Sequence, residues 1–481
     1  MGKVYIPRIH VRMGGIYLTT TSILFNNMDM KKDHKFWFLY FLMLVLELLV
    51  AGFILTRFGF NFYQGGDSPG YMLLAQNLVE HGTLSFGGAP PYAPTNFRTP
   101  IYPLFLALIY LIFHSFIAAI FFGALISAFS APLVYLIAKE VFSERTAFIA
   151  GILTAIEPMG LFLGVSILTE GVFTPVLFLF VYCFIKYLKT PKSAYLWYSG
   201  ALLGAIALIR PIMFYFWIFA IPIIVFKEYA IDWRLAFKRV LIFVGIFFVV
   251  LSPWLIRNKI VVNSWQITSL QGYAFYIDHY GAVLRYLSEA GPLSDVQAKA
   301  LALVPPDKIF TSEGSDILFK SALSGIKQHK LAYFNVYAKS LISFFIANGY
   351  KSLFIDILGV PAKAPYIPFE LFLRFDFKSI FKTFSDMDFA GFLIYWGSKI
   401  IWIITSVSFL ATFVYLLISK NYRAIKAEIV FIAIVIFYFA LITGPTVIGG
   451  GRTKAPINGL IFIFAVFGLM KFYDFIKRKI I

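Results

Sequence analysis

Residues 63–103 read YQGGDSPGYMLLAQNLVEHGTLSFGGAPPYAPTNFRTPIYP, and their reading decides the fold. This is the first substantial polar stretch after a hydrophobic segment. Asp67 follows Gly65-Gly66 and precedes Ser68-Pro69. Ser68 is a helix N-cap type, and Pro69 suits a first helical position. Tyr71, Leu74, Ala75, Leu78 and Val79 recur at helical spacing, and Gly82 can close the helix. Asp67 therefore sits at the mouth of a short amphipathic helix, whose dipole favours an ionised carboxylate. Two readings of Asp67 stand side by side: a catalytic base on a glycine-framed turn, or a helix cap.

Composition places that stretch at a membrane. The 481-residue chain is 60% hydrophobic, 19% aromatic and 14% charged, with mean hydropathy +0.81. Several apolar runs reach the ~20 residues needed to cross a bilayer. The expected class is an all-α polytopic membrane protein. The net charge of +18 is read as membrane topology and headgroup contact, not as nucleic-acid binding. The single Cys183 lies inside an apolar run, which leaves no disulfide framework and no cysteine metal site. Residues 1–35 carry no apolar core or cleavage site and are expected to be a cytoplasmic segment; Met28 or Met30 is an alternative start.

The spans alternate with basic turns. Lys31, Lys32 and Lys35 precede the first span, 36–56, which contains Glu47. Residues 57–100 then form the first external loop, and 100–113 is short enough for an interfacial helix. Further spans are expected at 117–138, 147–164, 171–188, 195–209, 212–226 and 240–251. Lys139, Arg145, Lys186, Lys189, Lys192, Lys227, Arg234, Lys238 and Arg239 mark the cytoplasmic turns. A more polar region, 259–389, follows as an outer cap. The spans 391–419, 427–447 and 456–472 complete the chain. The count is ten, or twelve if the apolar patches 331–347 and 353–373 cross. The organisation is thus 1–35, a transmembrane module 36–258, the cap 259–389 and the C-terminal helices 390–481.

This topology puts Asp67, Arg98, Glu170, Arg210, Arg257, Arg452 and Lys454 at outer span ends or in outer loops. Basic residues are disfavoured there, so several that share a face with two carboxylates call for an anion. Arginine holds a phosphate by bidentate hydrogen bonds and stabilises a departing one. A carboxylate can take the proton of an attacking hydroxyl. The combination describes transfer of a group from a polyprenyl phosphate to an acceptor hydroxyl. His279, within Tyr276-Ile277-Asp278-His279-Tyr280, is the histidine to watch. Aromatics such as Tyr273, Phe275, Tyr276 and Tyr280 are either sugar-stacking surfaces or interface anchors. No nucleotide-binding or metalloprotease motif occurs.

The chain resembles the GT-C membrane glycosyltransferases that use lipid-phosphate sugars, most of all the protein O-mannosyltransferase and aminoarabinose-transferase branch. Four motifs carry the likeness in order. They are Gly66-Asp67-Ser68-Pro69-Gly70-Tyr71 with Phe97-Arg98-Thr99-Pro100-Ile101-Tyr102-Pro103; Leu168-Thr169-Glu170; Arg210-Pro211 with Pro253-Trp254-Leu255-Ile256-Arg257-Asn258; and Gly451-Arg452-Thr453-Lys454-Ala455-Pro456. The resemblance implies a GT-C fold with about ten to twelve transmembrane helices and juxtamembrane helices in the first external loop. It implies an inverting transferase on the extracytoplasmic face of a cell or inner membrane. Asp67 is then the base, and Glu170 positions the acceptor or the base. Arg210, Arg257 and Arg452, with Arg98 or Lys454, bind the lipid phosphate; Tyr71 and His279 are further candidates for binding phosphate or sugar. The implied partners are a polyprenyl-phosphate-linked sugar, a hydroxyl acceptor (glycan, lipid or protein) and membrane lipid. Ser68 stands where the family often has a second acid, and Arg98 where one branch has an acid linked to metal binding. No cofactor or metal is expected, with a divalent ion left open. A transporter or flippase, or a non-catalytic binder of a lipid-linked glycan, is the alternative. The former would show internal repeats and midplane charges; the latter would not depend on Asp67.

Overall fold

The computed structural model describes residues 33–480, other than 191–192, 230–231, 366, 368–370, 372–375 and 445–449. Lys31, Lys32, Lys192, Gly449 and most of segment 1–35 lie outside the described residues. The described chain is a bundle of helices, as the apolar runs require where each backbone amide must be satisfied within its own segment. Among the described residues, eight helices are long and apolar enough to cross a membrane, or nine if one bent pair counts as a single span. Within the described residues the ten expected spans fall on helices; residues 445–447 of the span 427–447 lie outside them. The ninth is the bent pair and the tenth is Ser193–Ile209, a shorter apolar helix. This is an all-α, multi-pass membrane protein.

The centre of the bundle is Glu170–Lys189, the most enclosed of the spans. It packs against Ile117–Val141, Ser193–Ile209 and Lys426–Thr443. Ser193–Ile209 in turn lies close on Trp233–Val262. A Cβ at Gly200 would come within 2.7 Å of the Phe243 carbonyl, and one at Gly204 within 2.8 Å of the Val250 Cβ. Two glycines four residues apart thus open a groove for the neighbouring backbone, a common way to join helices without a hydrophobic driving force.

Two expected spans differ in shape from their reading. The run 147–164 is not one rod: Glu144–Ala155 and Pro158–Gly164 meet at 60°. Pro158 cannot donate to a continuing helix, and the Glu157 carboxylate starts the second half by accepting from the amides of Met159 (3.3 Å) and Gly160 (2.6 Å). The span read as 240–251 is longer, Trp233–Val262, and runs through Pro253. That carries Arg257 and Asn258 inside a helix. The first external loop contains Ser68–His81 and Ile101–Phe113. The cap has a small core of its own, built from Tyr276, Ile277, Val296, Val304, Leu318 and Ala322. The patch 331–347 forms the helix Lys330–Ile346, which is not among the helices long and apolar enough to cross a membrane, and much of the patch 353–373 lies outside the described residues.

Candidate active site

Asp67 owes its place to two local features. Gly66 has φ 63, a conformation that side chains disfavour, and it turns the chain into the helix Ser68–His81. Asp67 occupies the cap position but makes no capping hydrogen bond. Its Oδ1 instead accepts from Arg98 Nη2 at 2.7 Å, and its Oδ2 from Arg452 Nη1 at 3.0 Å. The capping reading of its side chain is thereby replaced by a double guanidinium contact.

Arg98 is held by stitching of its own strand of chain. Thr95 Oγ1 donates to the Phe310 carbonyl at 3.0 Å, Thr268 Oγ1 to the Phe97 carbonyl at 2.7 Å, and Thr99 Oγ1 to the Ile209 carbonyl at 3.0 Å. The loop is thus tied to the cap on one side and to the end of Ser193–Ile209 on the other. The Arg98 guanidinium lies 4.9 Å from the Tyr71 ring centroid, a cation–π placement.

Glu170 opens the helix Glu170–Lys189 and is 1% exposed. A carboxylate there is favoured by the helix dipole. Its Oε1 lies 2.6 Å from Arg452 Nε and 2.7 Å from Arg210 Nη1, and its Oε2 accepts from Thr169 Oγ1 at 3.1 Å. Arg210 sits where Ser193–Ile209 ends, with Pro211 next to prevent continuation. Arg452 belongs to the short turn Gly450–Lys454. Gly451 is required there: a Cβ would meet the Asn348 carbonyl carbon at 2.4 Å.

The five side chains form one alternating series: Arg98, Asp67, Arg452, Glu170, Arg210. Burial alone would raise the Asp67 carboxyl, but the charges of Arg98 and Arg452 outweigh it and hold the group below the usual carboxylate range. Three guanidiniums against two carboxylates leave one positive charge in excess. Both Asp67 oxygens face guanidiniums, and the adjacent carboxylate, Glu170, shares one of these, Arg452, and pairs with a third, Arg210. That set suits an anion and not a divalent cation. Among the described residues no group of three or more His, Cys, Asp or Glu is arranged to hold a metal ion.

Two cavities meet at Arg452. One, of about 640 Å³, is lined by Asp67, Tyr71, Arg98, Arg210, Asp278 and His279 among others. The second, of about 730 Å³, is lined by Phe62, Met159, Lys351, Asp356 and Lys399 among others. Of the expected residues, Asp67, Tyr71, Arg98, Glu170, Arg210 and Arg452 come together, with His279 across the first cavity. Arg257 and Lys454 lie apart. Arg257 Nη1 donates to the Thr95 carbonyl at 2.8 Å and to Asn258 Oδ1 at 3.1 Å. Lys454 is fully buried, with Nζ 3.5 Å from the Trp402 ring centroid and bonded to the Phe345 carbonyl at 3.2 Å. The sequence reading singled out His279 but not Asp278, Tyr333 or Tyr337, which line the same cavity. The cluster of polar and aromatic types in 273–280 was the available signal.

Comparison with known proteins bears on this site. Residues 97–256 match the family model described as dolichyl-phosphate-mannose-protein mannosyltransferase. That segment holds Arg98, Glu170 and Arg210; Asp67 and Arg452 lie outside it. No curated protein matches the sequence. Among solved structures, the chain is similar to the archaeal oligosaccharyltransferase AglB from Archaeoglobus fulgidus, in complex with an inhibitory peptide and a dolichol-phosphate. The identity is 12%, over 90% of this chain and 50% of that one, with a TM-score of 0.47. It is also similar to ArnT from Cupriavidus metallidurans bound to undecaprenyl phosphate, at 15% identity over 88% of this chain and 76% of that one, with a TM-score of 0.32. The chain thus spans about half the length of the oligosaccharyltransferase. The family-model match covers about a third of the chain, and over that segment the chain is similar to the dolichyl-phosphate-mannose-protein mannosyltransferases, in keeping with the GT-C resemblance of its motifs.

Proposed function

We propose that the protein is an inverting glycosyltransferase that moves a sugar from a polyprenyl or dolichyl phosphate to an acceptor hydroxyl on the extracytoplasmic face. The observation that carries this reading is the alternating series of three arginines and two carboxylates with its single positive excess. A sugar-bearing lipid phosphate is a diester with one negative charge, which balances that excess. As the sugar–oxygen bond breaks, the leaving phosphate gains a second negative charge. Arg98, Arg210 and Arg452 are already oriented to receive it, without reorganisation at the moment of reaction.

Asp67 accepts the proton of the acceptor hydroxyl as its oxygen bonds to the sugar's anomeric carbon. The hold of Arg98 and Arg452 makes Asp67 a weak base in the uncomplexed site. A bound phosphate competes for those two guanidiniums, and the carboxyl then moves toward a more basic range. Glu170 is buried and faces guanidiniums, which makes it a positioning residue for Arg210 and Arg452. The two cavities on either side of Arg452 give donor and acceptor separate approaches, as displacement from opposite faces of the sugar requires. Sidedness is supported by the far end of Glu170–Lys189, where Lys186 and Lys189 pair with Glu140.

The test is transfer in membranes holding the folded chain, with labelled polyprenyl-phosphate mannose, glucose and aminoarabinose as donors. Label appearing in an acceptor, with release of polyprenyl phosphate, is expected from at least one donor. No transfer from any of the three contradicts the reading.

A further inference from the structure

Asp67, Arg98, Arg210 and Arg452 of the charged series line one part of the 640 Å³ cavity, and another part of its wall comes from the cap. There the chain winds through a π-helical turn, Phe275–Tyr280. Such turns widen the spacing of side chains and are frequent at functional sites. This one divides its residues between two faces. Tyr276 and Ile277 enter the cap core, and the Tyr280 ring abuts Gly325, where a Cβ would meet it at 2.2 Å. Phe275, Asp278 and His279 line the cavity. The cap core therefore fixes the turn and leaves three side chains facing the cleft.

Their chemistry is specific. Burial alone pushes the Asp278 carboxyl up to about 7, with no hydrogen bond or ion pair from the described residues to offset it. His279 Nδ1 lies 2.9 Å from the Tyr333 hydroxyl, and its ring lies 4.8 Å from the Phe275 centroid. Burial pushes the imidazole down to about 4, so it is neutral near pH 7. Phe275 in turn lies 4.9 Å from Phe319, which also lines the cavity. A hydrocarbon chain against this wall would desolvate a carboxyl without replacing its hydrogen bonds to water, which is unfavourable. A phosphate would be repelled by the ionised form. A sugar ring meets both demands: its hydroxyls donate and accept, and its C–H face packs on aromatic rings.

We propose that Phe275, Asp278 and His279 form a sugar subsite, with Asp278 and His279 bonding ring hydroxyls and Phe275 packing on the ring face. The proposal rests on the glycosyl-transfer reading for the presence of a sugar in the cleft, and on geometry for its place. The sugar is that of the donor or of a glycan acceptor, and binding measurements separate the two. The purified full-length chain in nanodiscs is titrated with bare polyprenyl phosphate and with polyprenyl-phosphate mannose, glucose and aminoarabinose. A second series uses the methyl glycosides of mannose, glucose, galactose and arabinose.

Asp278→Ala and His279→Ala are each expected to weaken at least one sugar-bearing probe about tenfold, and Asp278→Asn by less, while bare polyprenyl phosphate binds as before. A loss confined to the lipid-linked probes assigns the subsite to the donor. A loss confined to the methyl glycosides assigns it to the acceptor. Equal binding of every probe by wild type and Asp278→Ala overturns the subsite. Bare polyprenyl phosphate that fails to weaken on Arg98→Ala counts against the lipid-phosphate reading instead, and leaves the methyl glycoside series to decide the subsite.

Discussion

Ion pairs stand at both ends of the helix bundle, and the two sets are built differently. At the end that carries Lys186 and Lys189, lysines meet carboxylates in partly exposed pairs. Lys139 and Asp33 lie 3.0 Å apart with side chains 43% and 17% exposed, and Glu140 is shared by Lys186 at 3.1 Å and Lys189 at 2.9 Å. At the other end, arginines replace lysines, every carboxylate oxygen but one faces a guanidinium, and Glu170 is buried. The lysine end ties helix termini together through partly exposed pairs, and such pairs contribute little. At the arginine end Glu170 is buried beside two cavities, where its interactions with Arg210 and Arg452 are stronger, while Asp67 and Arg452 stay partly open to those cavities. Ion pairing by itself says little about function; the choice of arginine, the sharing of oxygens and the burial do.

The contrast can be broken by mutation, and the largest effect is expected at Glu170. Glu170→Ala leaves Arg210 and Arg452 without their shared buried carboxylate and should cost about 3–5 kcal/mol of stability, read by unfolding in detergent. Arg452→Lys keeps the charge but cannot reach both carboxylates as a fork does; lipid-phosphate affinity, measured by titration, should fall roughly tenfold or more. Arg257→Ala removes the support of the Thr95 carbonyl and should cost about 1–2 kcal/mol in the same unfolding measurement, with polyprenyl-phosphate affinity little changed. Lys139→Ala, at the lysine end, should shift stability by no more than about 1 kcal/mol. If Lys139→Ala and Glu170→Ala cost the same, the two ends are not different in kind.

Much of this was legible in the sequence, for reasons that can be named. The helix after Asp67 is announced by Ser68-Pro69 and closed by Gly82, which has φ 69. The three clustered arginines stand out because basic side chains at outer span ends conflict with the topology the other lysines set, and Asp67 and Glu170 because they share that face. The break at Ile156–Glu157 was not found, because averaged hydropathy sees an unbroken apolar run and does not register that Pro158 needs a new helix start. The run through Pro253 was missed for the opposite reason: neighbouring helices tolerate a proline that a soluble helix would not. Arg257 and Lys454 share the type and location of the cluster residues, and only tertiary contacts assign them to Thr95 and to Trp402. Asp278 carries no sequence signal of its own, since a π-turn has no simple spacing rule.

The measurement that bears most directly on the central claim is single-turnover transfer by Asp67→Asn, with donor binding followed in the same preparation. The asparagine keeps the shape of the turn and an acceptor for one guanidinium, but it cannot take a proton. The account predicts a rate at least about a hundredfold below wild type with the donor still bound. Transfer at the wild-type rate would contradict it and return Asp67 to a purely structural partner of Arg98 and Arg452.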